Sequence, residues 1–404
     1  MPTSTAASEG AIAVLMFILA PLLAFLITWA YASGMNHLGL RAWRNSDQLH
    51  WSERARILFP ARNSAVSNIW FLSLNCALAT WLYVSKIHPV VGCVFVAAFA
   101  GAILGTYPFD RALFPQFTIQ SWLRYVVVLW SIQVGFWAML GCATAVMPWD
   151  FTWPAYVIGG VALGLSLALQ FGLWIWLLKE SKLLFPAPRR LEGIVLKTSQ
   201  EMQTRYHSVL CLRSPVGYAA ALPVTGDLLF SEAMLSTHTD NEIAAIAAHE
   251  MAHLTESRWT VGLRLLMSLW AAPIVFIKPV AHTFGGPGVL LLMLPGLIRM
   301  AFSKRLGRRL EVRADSTASQ HQEEAGVYAQ ALERLYEMNH MPAVMPNNKT
   351  VHPHLYDRLL AAGMTPAYPR PAKPETLSWH GAIMRFVFWV LLFVALGKSV
   401  SSKS

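Results

Sequence analysis

The sequence predicts an α-helical polytopic membrane protein that also contains a mainly α domain with a minor β part. Hydrophobic residues make up 55% of the 404 residues, and charged residues only 13%. Several apolar runs reach the length that a helix needs to cross a bilayer, about 20 residues. A strand-like stretch at 216–224 leads into a helix with its own start signal. These observations exclude an ordinary soluble protein.

The apolar runs define the expected membrane segments. Six of them lie at residues 11–33, 66–84, 89–106, 124–147, 154–178 and 383–397. The block 261–302 is apolar but is interrupted by Pro273, Lys278, His282 and the turn signal Gly-Gly-Pro-Gly, so we expect a helical hairpin there. The expected organisation is a membrane domain of about five transmembrane helices at 1–178, a second domain at 179–370 interrupted by this hairpin, and a transmembrane helix at 380–404.

The distribution of basic residues predicts the orientation. The first ten residues carry no Lys or Arg, whereas the loop after the first span is rich in arginine. By the positive-inside rule this loop is cytosolic, and alternation then places 179–260 on the cytosolic face. Compact loops and the absence of low-complexity tails favour a bacterial inner membrane. The net charge of +10 follows from this orientation and from contact with the lipid bilayer, so no nucleic-acid partner is expected. The sequence leaves the oligomeric state open.

Two glycine pairs have the spacing of close helix contacts. Gly101 with Gly105, and Gly160 with Gly164, are each four residues apart within apolar runs. Small residues at this spacing allow two helix backbones to approach each other in a membrane. We therefore expect both pairs to lie at helix–helix interfaces.

A short motif, His249-Glu250-Met251-Ala252-His253, indicates a metal site. On a helix the two histidines are four residues apart, so both imidazoles leave the same face and can share one Zn²⁺ ion. Glu250 would lie beside the ion as a general base. Thr239 and Glu242 form a capping-box pattern ahead of the motif, which predicts the helix independently of its chemistry.

A catalytic zinc ion needs a third protein ligand. The residues after His253 lack the Gly and His of the extended metzincin motif, and no Asp or Glu occurs between Ser257 and Leu310. The next carboxylate is Glu311, about as far beyond the hairpin as His253 is ahead of it. Asp315, one turn later, could accept a hydrogen bond from a ligand histidine. The alternative is that both acids are exposed and pair with neighbouring arginines, Arg309 and Arg313.

In combination, these motifs resemble the membrane gluzincin metalloproteases, the HtpX-type and CAAX prenyl endopeptidases. The resemblance rests on 249–253, on Glu311-Val312-Arg313-Ala314-Asp315 and on the segment 351–359, which begins Val-His-Pro-His. It covers roughly 180–365. Val351 departs from the pattern, since the family often has Ser or Thr there, and Gly217-Tyr218 replaces the commoner Asn-Ala.

The resemblance implies a mainly α gluzincin metalloprotease domain with a minor β part. It makes His249, His253 and Glu311 the ligands of one Zn²⁺ per chain, Glu250 the general base and Asp315 a partner of a ligand histidine. It also puts His352 and Arg358 near the substrate. From the chemistry of the reaction we expect His352 to stabilise the oxyanion as a further catalytic residue, the alternative being an ordinary loop histidine. Arg358 would bind the substrate backbone or pair with Asp357 or Glu311, and an extended substrate would bind at an edge strand that includes Tyr218 and Ala219.

The expected function is hydrolysis of peptide bonds in membrane-bound or membrane-proximal proteins by a zinc endopeptidase. Two other classes stay open. One is a sensor–transducer whose metalloprotease cleaves a cytosolic repressor, although only short loops are available for a sensor. The other is a non-catalytic membrane scaffold with a degenerate zinc site. Prenylated peptides, damaged membrane proteins and one dedicated target are all compatible substrates.

Overall fold

The computed structural model describes residues 3–84, 89–347 and 352–401, and most of them are helical. Packing separates them into two units, of which the first contains the helices α1 to α4, His340–Pro346 and the last helix, α15. These helices are α1 (Thr3–Arg44), α2 (Trp51–Val84), α3 (Pro89–Leu104), α4 (Tyr107–Leu113) and α15 (Trp379–Ser401).

The second unit contains α5 to α14 and a four-stranded sheet. Its helices are α5 (Ile119–Val146), α6 (Trp153–Ala168), α7 (Trp174–Glu180), α8 (Arg189–Glu201), α9 (Glu232–Thr237), α10 (Asp240–Leu254), α11 (Arg258–Ser268), α12 (Ile277–Gln320), α13 (Val327–Met338) and α14 (Leu355–Ala361). A π-helical segment, Leu169–Leu173, joins α6 to α7, and a 3₁₀ segment, Ala272–Phe276, precedes α12.

Five helical segments of the described chain are long and apolar enough to cross a membrane: Met16–Arg44, Trp51–Val84, Pro89–Leu113, Trp153–Glu180 and Arg258–Gln320. The two halves of α5, bent by 41° at the break, make a sixth if they count as one span. In α15 the apolar stretch Trp379–Ala395 is shorter. The predicted fold class is confirmed in its architecture, an α-helical polytopic membrane protein that contains a mainly α domain with a minor β part. The predicted domain boundaries stay predictions.

Close contact between α1 and α3 organises the first unit. A Cβ at Gly105 would lie 2.6 Å from the Cβ of Ala32, and a Cβ at Gly101 would strike the carbonyl oxygen of Phe25. The two helices are also joined by a buried hydrogen bond, in which Thr28 Oγ1 donates to the carbonyl oxygen of Ala98 at 2.9 Å. Gly101 of α3 and Gly105, the residue after its end, therefore lie at a contact with α1, as predicted.

The second glycine pair does not behave in this way. Among the described residues, a Cβ at Gly160 or Gly164 would meet no atom within 4 Å, so the prediction of close packing at these two positions is wrong. The neighbouring Gly159 makes the close contact instead, because a Cβ there would overlap the ring of Phe276. Spacing alone did not identify which glycine faces the partner.

The sheet of the second unit has the strand order β1-β2-β4-β3. Its strands are β1 (Leu184–Pro186), β2 (Ser208–Leu212), β3 (Ala219–Leu222) and β4 (Asp227–Ser231). β2 and β4 are parallel, and the other two pairings are antiparallel, with Ala219 opposite Phe230. β3 therefore lies at one edge of the sheet, next to α10.

The sheet and α8 pack against the helix that carries the metal motif. The core between them is apolar and fully or almost fully buried, and it includes Leu191, Val195, Leu228, Phe230, Ile243, Ile246, Ala247 and Met251. The predicted capping box begins this helix: the Thr239 side chain accepts a hydrogen bond from the N–H of Glu242, and Glu242 Oε2 accepts one from the N–H of Thr239 at 2.7 Å. The start and one face of α10 are therefore both specified by sequence.

After α10 the chain runs through two long arms. Trp270, just after α11, lies against Gly296 and Arg299 of α12, and Arg313 of α12 donates hydrogen bonds to Thr255, just before α11. These pairings place α11 and the later part of α12 side by side and antiparallel. Gly285, with φ of 61°, interrupts α12, in a conformation that a side chain would disfavour. Residues near 253 and residues near 311 therefore lie side by side at the same end of the two antiparallel arms.

We predict that Gly101→Ala lowers the thermal unfolding midpoint of the detergent-solubilised protein, because the added methyl group overlaps the backbone of α1. Overpacking of this kind costs about 1–3 kcal/mol. Gly92→Ala is the matched control, since a Cβ at this position of the same helix meets no atom within 4 Å. Equal midpoints for the two variants would contradict the close contact.

Candidate metal centre

Three side chains from two helices converge at the end of the hairpin arms. His249 and His253 come from α10, and Glu311 comes from α12. One nitrogen of each histidine and one oxygen of Glu311 lie within 4.8 Å of one another. His249 Nε2 is 3.6 Å from Glu311 Oε2, and His253 Nε2 is 3.7 Å from Glu311 Oε1. The three residues predicted as metal ligands are thus brought together.

The cluster fits a cation. Glu311 Oε2 is buried and accepts no hydrogen bond of good geometry from the described residues, although His352 Nδ1 lies 2.8 Å away. A buried carboxylate oxygen left in this way is costly unless a positive charge compensates it. Two imidazoles and one carboxylate form a donor set that suits zinc and leaves a coordination position open. The alternative of two exposed acids is wrong, because Glu311 is only 8% exposed.

The imidazole of His249 is oriented from behind by a buried polar network. Its Nδ1 lies 2.7 Å from the hydroxyl of Tyr328 and 3.2 Å from Asp315 Oδ1. The Tyr328 hydroxyl donates to Asp315 at 2.6 Å, so we assign the Nδ1 proton to His249, which then donates to Tyr328. In the neutral imidazole, Nε2 of His249 then carries the lone pair, on the side of Glu311. Asp315 therefore lies beside His249, and its predicted role as the partner of a ligand histidine stays a prediction.

Arg358 completes this network. Its Nε and Nη2 donate to the two oxygens of Asp315 at 2.9 and 2.6 Å, and Nη2 also lies 3.0 Å from the Tyr328 hydroxyl. The Arg358 side chain is 6% exposed. These Arg358 donors therefore bind Asp315 and Tyr328 within the domain. This supports a role for Arg358 in positioning His249 through Asp315. Its contact with a substrate stays a prediction.

The charges around His249 alter its acidity. Burial lowers the pKa of the imidazole, but the neighbouring carboxylates of Asp315, Glu311 and Glu250 outweigh burial and raise the pKa to about 9. The metal-free site therefore holds a proton on His249 at neutral pH. Metal binding must displace that proton, because a metal ligand histidine offers an unprotonated nitrogen.

Glu250 is held by the edge strand. Its Oε2 accepts a hydrogen bond of 2.7 Å from the backbone N–H of Ala221. Since backbone groups alternate in direction along a strand, the N–H and C=O of Ala219 point away from β4 on the same side. The backbone groups of Tyr218 face β4 instead, and its C=O accepts a hydrogen bond of 2.8 Å from the N–H of Ser231. Of the predicted substrate-binding pair, Ala219 has the outward backbone groups.

His352 lies at the rim of the cluster. Its side chain is 58% exposed, and Nδ1 is 2.8 Å from Glu311 Oε2. This position is close enough for a role in the reaction, and its predicted role with the oxyanion stays a prediction. Val351, which departs from the family pattern, lies outside the described residues.

Two partners of the ligand histidines escaped the sequence analysis. Tyr328 contacts His249 from α13, and no motif marks a tyrosine in that helix. Glu256 lies 3.0 Å from Nδ1 of His253. Glu256 did have a signal, because it is the only acid within the six residues after His253. Its position one turn beyond the ligand could have identified it.

One cavity adjoins the cluster, and a second shares part of the lining of the first. The hairpin-side cavity, of about 240 Å³, is lined by His253 and Glu311 together with residues of both arms. The strand-side cavity, of about 320 Å³, is lined by Ala221 and Leu222 of β3, by Trp174 and by residues of α11. Arg264 and Ser268 line both. The two cavities thus follow one side of α11 from the edge strand to the metal ligands.

Residues 188–364 match the family model of Peptidase family M48. The matched segment is less than half of the chain, and it contains all three candidate ligands, Glu250 and the edge strand. This segment is therefore similar to the metallopeptidases of that family. The distinction between HtpX-type and CAAX prenyl endopeptidases stays a prediction. No curated protein matches the chain.

We predict that Arg358→Met strongly destabilises the metal-free protein, because it leaves Asp315 and the Tyr328 hydroxyl without their donor. Breaking a buried ion pair in this way costs about 3–5 kcal/mol. Arg213→Gln is the control, since Arg213 and Glu232 are about half exposed and 3.8 Å apart, where an ion pair contributes at most about 1 kcal/mol. The measurement is the unfolding midpoint in detergent; similar shifts for both variants would contradict the network.

We also predict that zinc affinity rises as the pH rises toward 9. Below the raised pKa of His249 a proton competes with the metal, so the apparent affinity should increase about tenfold per pH unit between pH 6 and 8. Competition with a chromophoric chelator measures it. His321→Gln is the control, because this exposed histidine hydrogen-bonds only within α12 among the contacts described, and it should leave the slope unchanged. A flat profile for the wild-type chain would refute the proton competition.

Proposed function

We propose that the chain is a zinc-dependent integral membrane endopeptidase that cleaves membrane-bound or membrane-proximal proteins. One observation carries the proposal: His249, His253 and Glu311 offer converging ligand atoms, with the carboxylate of Glu250 next to them on the same helix. The match to Peptidase family M48 supports peptide hydrolysis as the reaction.

His249, His253 and Glu311 would hold the ion. A zinc ion at this place supplies a Lewis acid that acidifies water and polarises the scissile carbonyl. Tyr328 and Asp315 keep the Nε2 lone pair of His249 directed toward Glu311. Glu311, which is buried, contributes the negative charge that draws a divalent cation into the site.

Glu250 acts as the general base. The N–H of Ala221 holds one carboxylate oxygen, so the orientation of the group is set before a substrate arrives. Glu250 accepts a proton from the attacking water and delivers it to the leaving amine. His352, at the rim of the cluster, would donate a hydrogen bond to the oxygen that becomes negative in the transition state.

An extended substrate would bind along β3. The edge position and the outward backbone groups of Ala219 allow a peptide to add as a further strand. Tyr218 precedes this strand, and its exposed side chain would contact the same peptide. The substrate would then run past Glu250 and alongside the strand-side cavity.

The site would act close to the bilayer. α11 begins five residues after His253, and α12 carries Glu311 on the returning arm, so both ligand-bearing segments continue directly into apolar helices. Proteins anchored in or lying on the membrane would therefore reach the site most easily. The distribution of basic residues supports a site on the cytosolic face, and the compact loops support a bacterial inner membrane.

The proposal is tested with Glu250→Gln in the full chain in detergent. We expect it to retain one zinc ion per chain while hydrolysis of a fluorescently labelled unfolded protein falls by about 10²–10⁴-fold, the usual contribution of a general base. Glu192→Gln is the control, because Glu192 is exposed on α8. Undiminished hydrolysis by Glu250→Gln would refute the mechanism.

The same variant identifies substrates. In membranes, Glu250→Gln should retain uncleaved proteins that the wild-type chain releases, and mass spectrometry identifies them. Recovery of membrane proteins would agree with the proposed substrate class. Recovery of soluble proteins alone would contradict it.

A further inference from the structure

Glu256 is a buried carboxylate in contact with the second ligand histidine. Its side chain is 1% exposed, and Oε1 lies 3.0 Å from Nδ1 of His253. When Nδ1 of a histidine donates to a carboxylate, the lone pair is confined to Nε2 and the ring is held in one orientation. In His253 that nitrogen is the one that faces Glu311.

The carboxylate of Glu256 is in turn held from the hairpin. Arg264 Nη1 donates to both oxygens of Glu256, at 2.8 and 2.9 Å. Glu256 is therefore a charged acceptor, which binds an imidazole N–H more strongly than a neutral one.

Arg264 lies on the arm that enters the apolar segment. α11 begins after Ser257, whose side chain accepts from the N–H of Thr260 at 3.2 Å, and Arg264 follows one turn later. The chain thus changes direction between α10 and α11. Arg264 of α11 then contacts His253 of α10 indirectly, through the carboxylate of Glu256. Arg264 also lines both the hairpin-side cavity and the strand-side cavity.

We propose that Glu256 and Arg264 are positioning residues for the metal centre. Glu256 sets the tautomer and orientation of His253, and Arg264 holds Glu256 from the first arm of the hairpin. The geometry of the metal site thereby depends on where that arm lies. This role rests on the proposed function, because it requires His253 as a metal ligand.

A different reading is that the pair only stabilises the corner between α10 and α11. Arg313 separates the two readings. It donates hydrogen bonds to Thr255 between the same two helices. Unlike Arg264, it does not bind the carboxylate that contacts the ring of His253. Loss of Arg313 should weaken the corner while leaving the orientation of the ring intact.

The experiment compares zinc affinity in Glu256→Gln, Arg264→Gln, Arg264→Lys and Arg313→Gln, each as the full chain in detergent. We expect Glu256→Gln and Arg264→Gln to bind zinc about 10–100-fold more weakly, as is usual when the partner of a ligand histidine is lost. Arg264→Lys should recover part of the loss, and Arg313→Gln should match the wild type. Chelator competition measures affinity, and the visible spectrum of the Co²⁺-loaded chain should shift only in the first two variants.

Three results would overturn the assignment. Wild-type affinity and an unchanged Co²⁺ spectrum in both Glu256→Gln and Arg264→Gln would refute it, as would an equal loss in Arg313→Gln. If Glu256→Gln does not fold, as its metal-free unfolding midpoint would reveal, equal affinity of Arg264→Gln and Arg264→Lys would refute it. Failure of the wild-type chain to bind zinc would instead refute the proposed function, so the two failures are distinguishable.

Discussion

The burial of Glu311 is the constraint on which the rest of the site depends. The residue is only 8% exposed, yet one carboxylate oxygen has no good hydrogen bond among the described residues. A buried charge is tolerated only when opposite charge or hydrogen bonds compensate it. In this protein, two imidazoles approach within 3.7 Å, and a cation among them would satisfy all three groups. Burying these three groups has an unfavourable free energy of desolvation, so the packing of the surrounding helices must hold them together.

Two separate parts of the fold keep them together. The capping box and the apolar core beneath α10 hold the histidine helix on the sheet, while the antiparallel arms return α12 to the level of His253. Each ligand histidine then has its own carboxylate behind it, Asp315 for His249 and Glu256 for His253. Each of these acids is itself bound by an arginine, Arg358 or Arg264. Each carboxylate thus faces a ligand histidine on one side and an arginine, which compensates its charge, on the other.

The predictable part of this arrangement is the part with a local signal. The spans follow from apolar length, the α10 start from Thr239 and Glu242, and Glu311 from the long stretch without carboxylates. Contacts between helices have no such signal: Tyr328 reaches His249 from another helix, and the glycine that meets Phe276 is Gly159 rather than Gly160. Glu256 is an intermediate case, because its spacing from His253 was visible but its burial was not.

The most direct test of the account is X-ray absorption at the zinc edge of the metal-loaded full chain. The account predicts two histidine nitrogens at about 2.0–2.1 Å and oxygen ligands at about 2.0–2.2 Å, with no sulfur. Replacement of Glu311 by Gln should remove or alter the oxygen contribution while both imidazole signals remain. A spectrum that contains a sulfur ligand at about 2.3 Å, or one without two imidazoles, would contradict the site built from His249, His253 and Glu311.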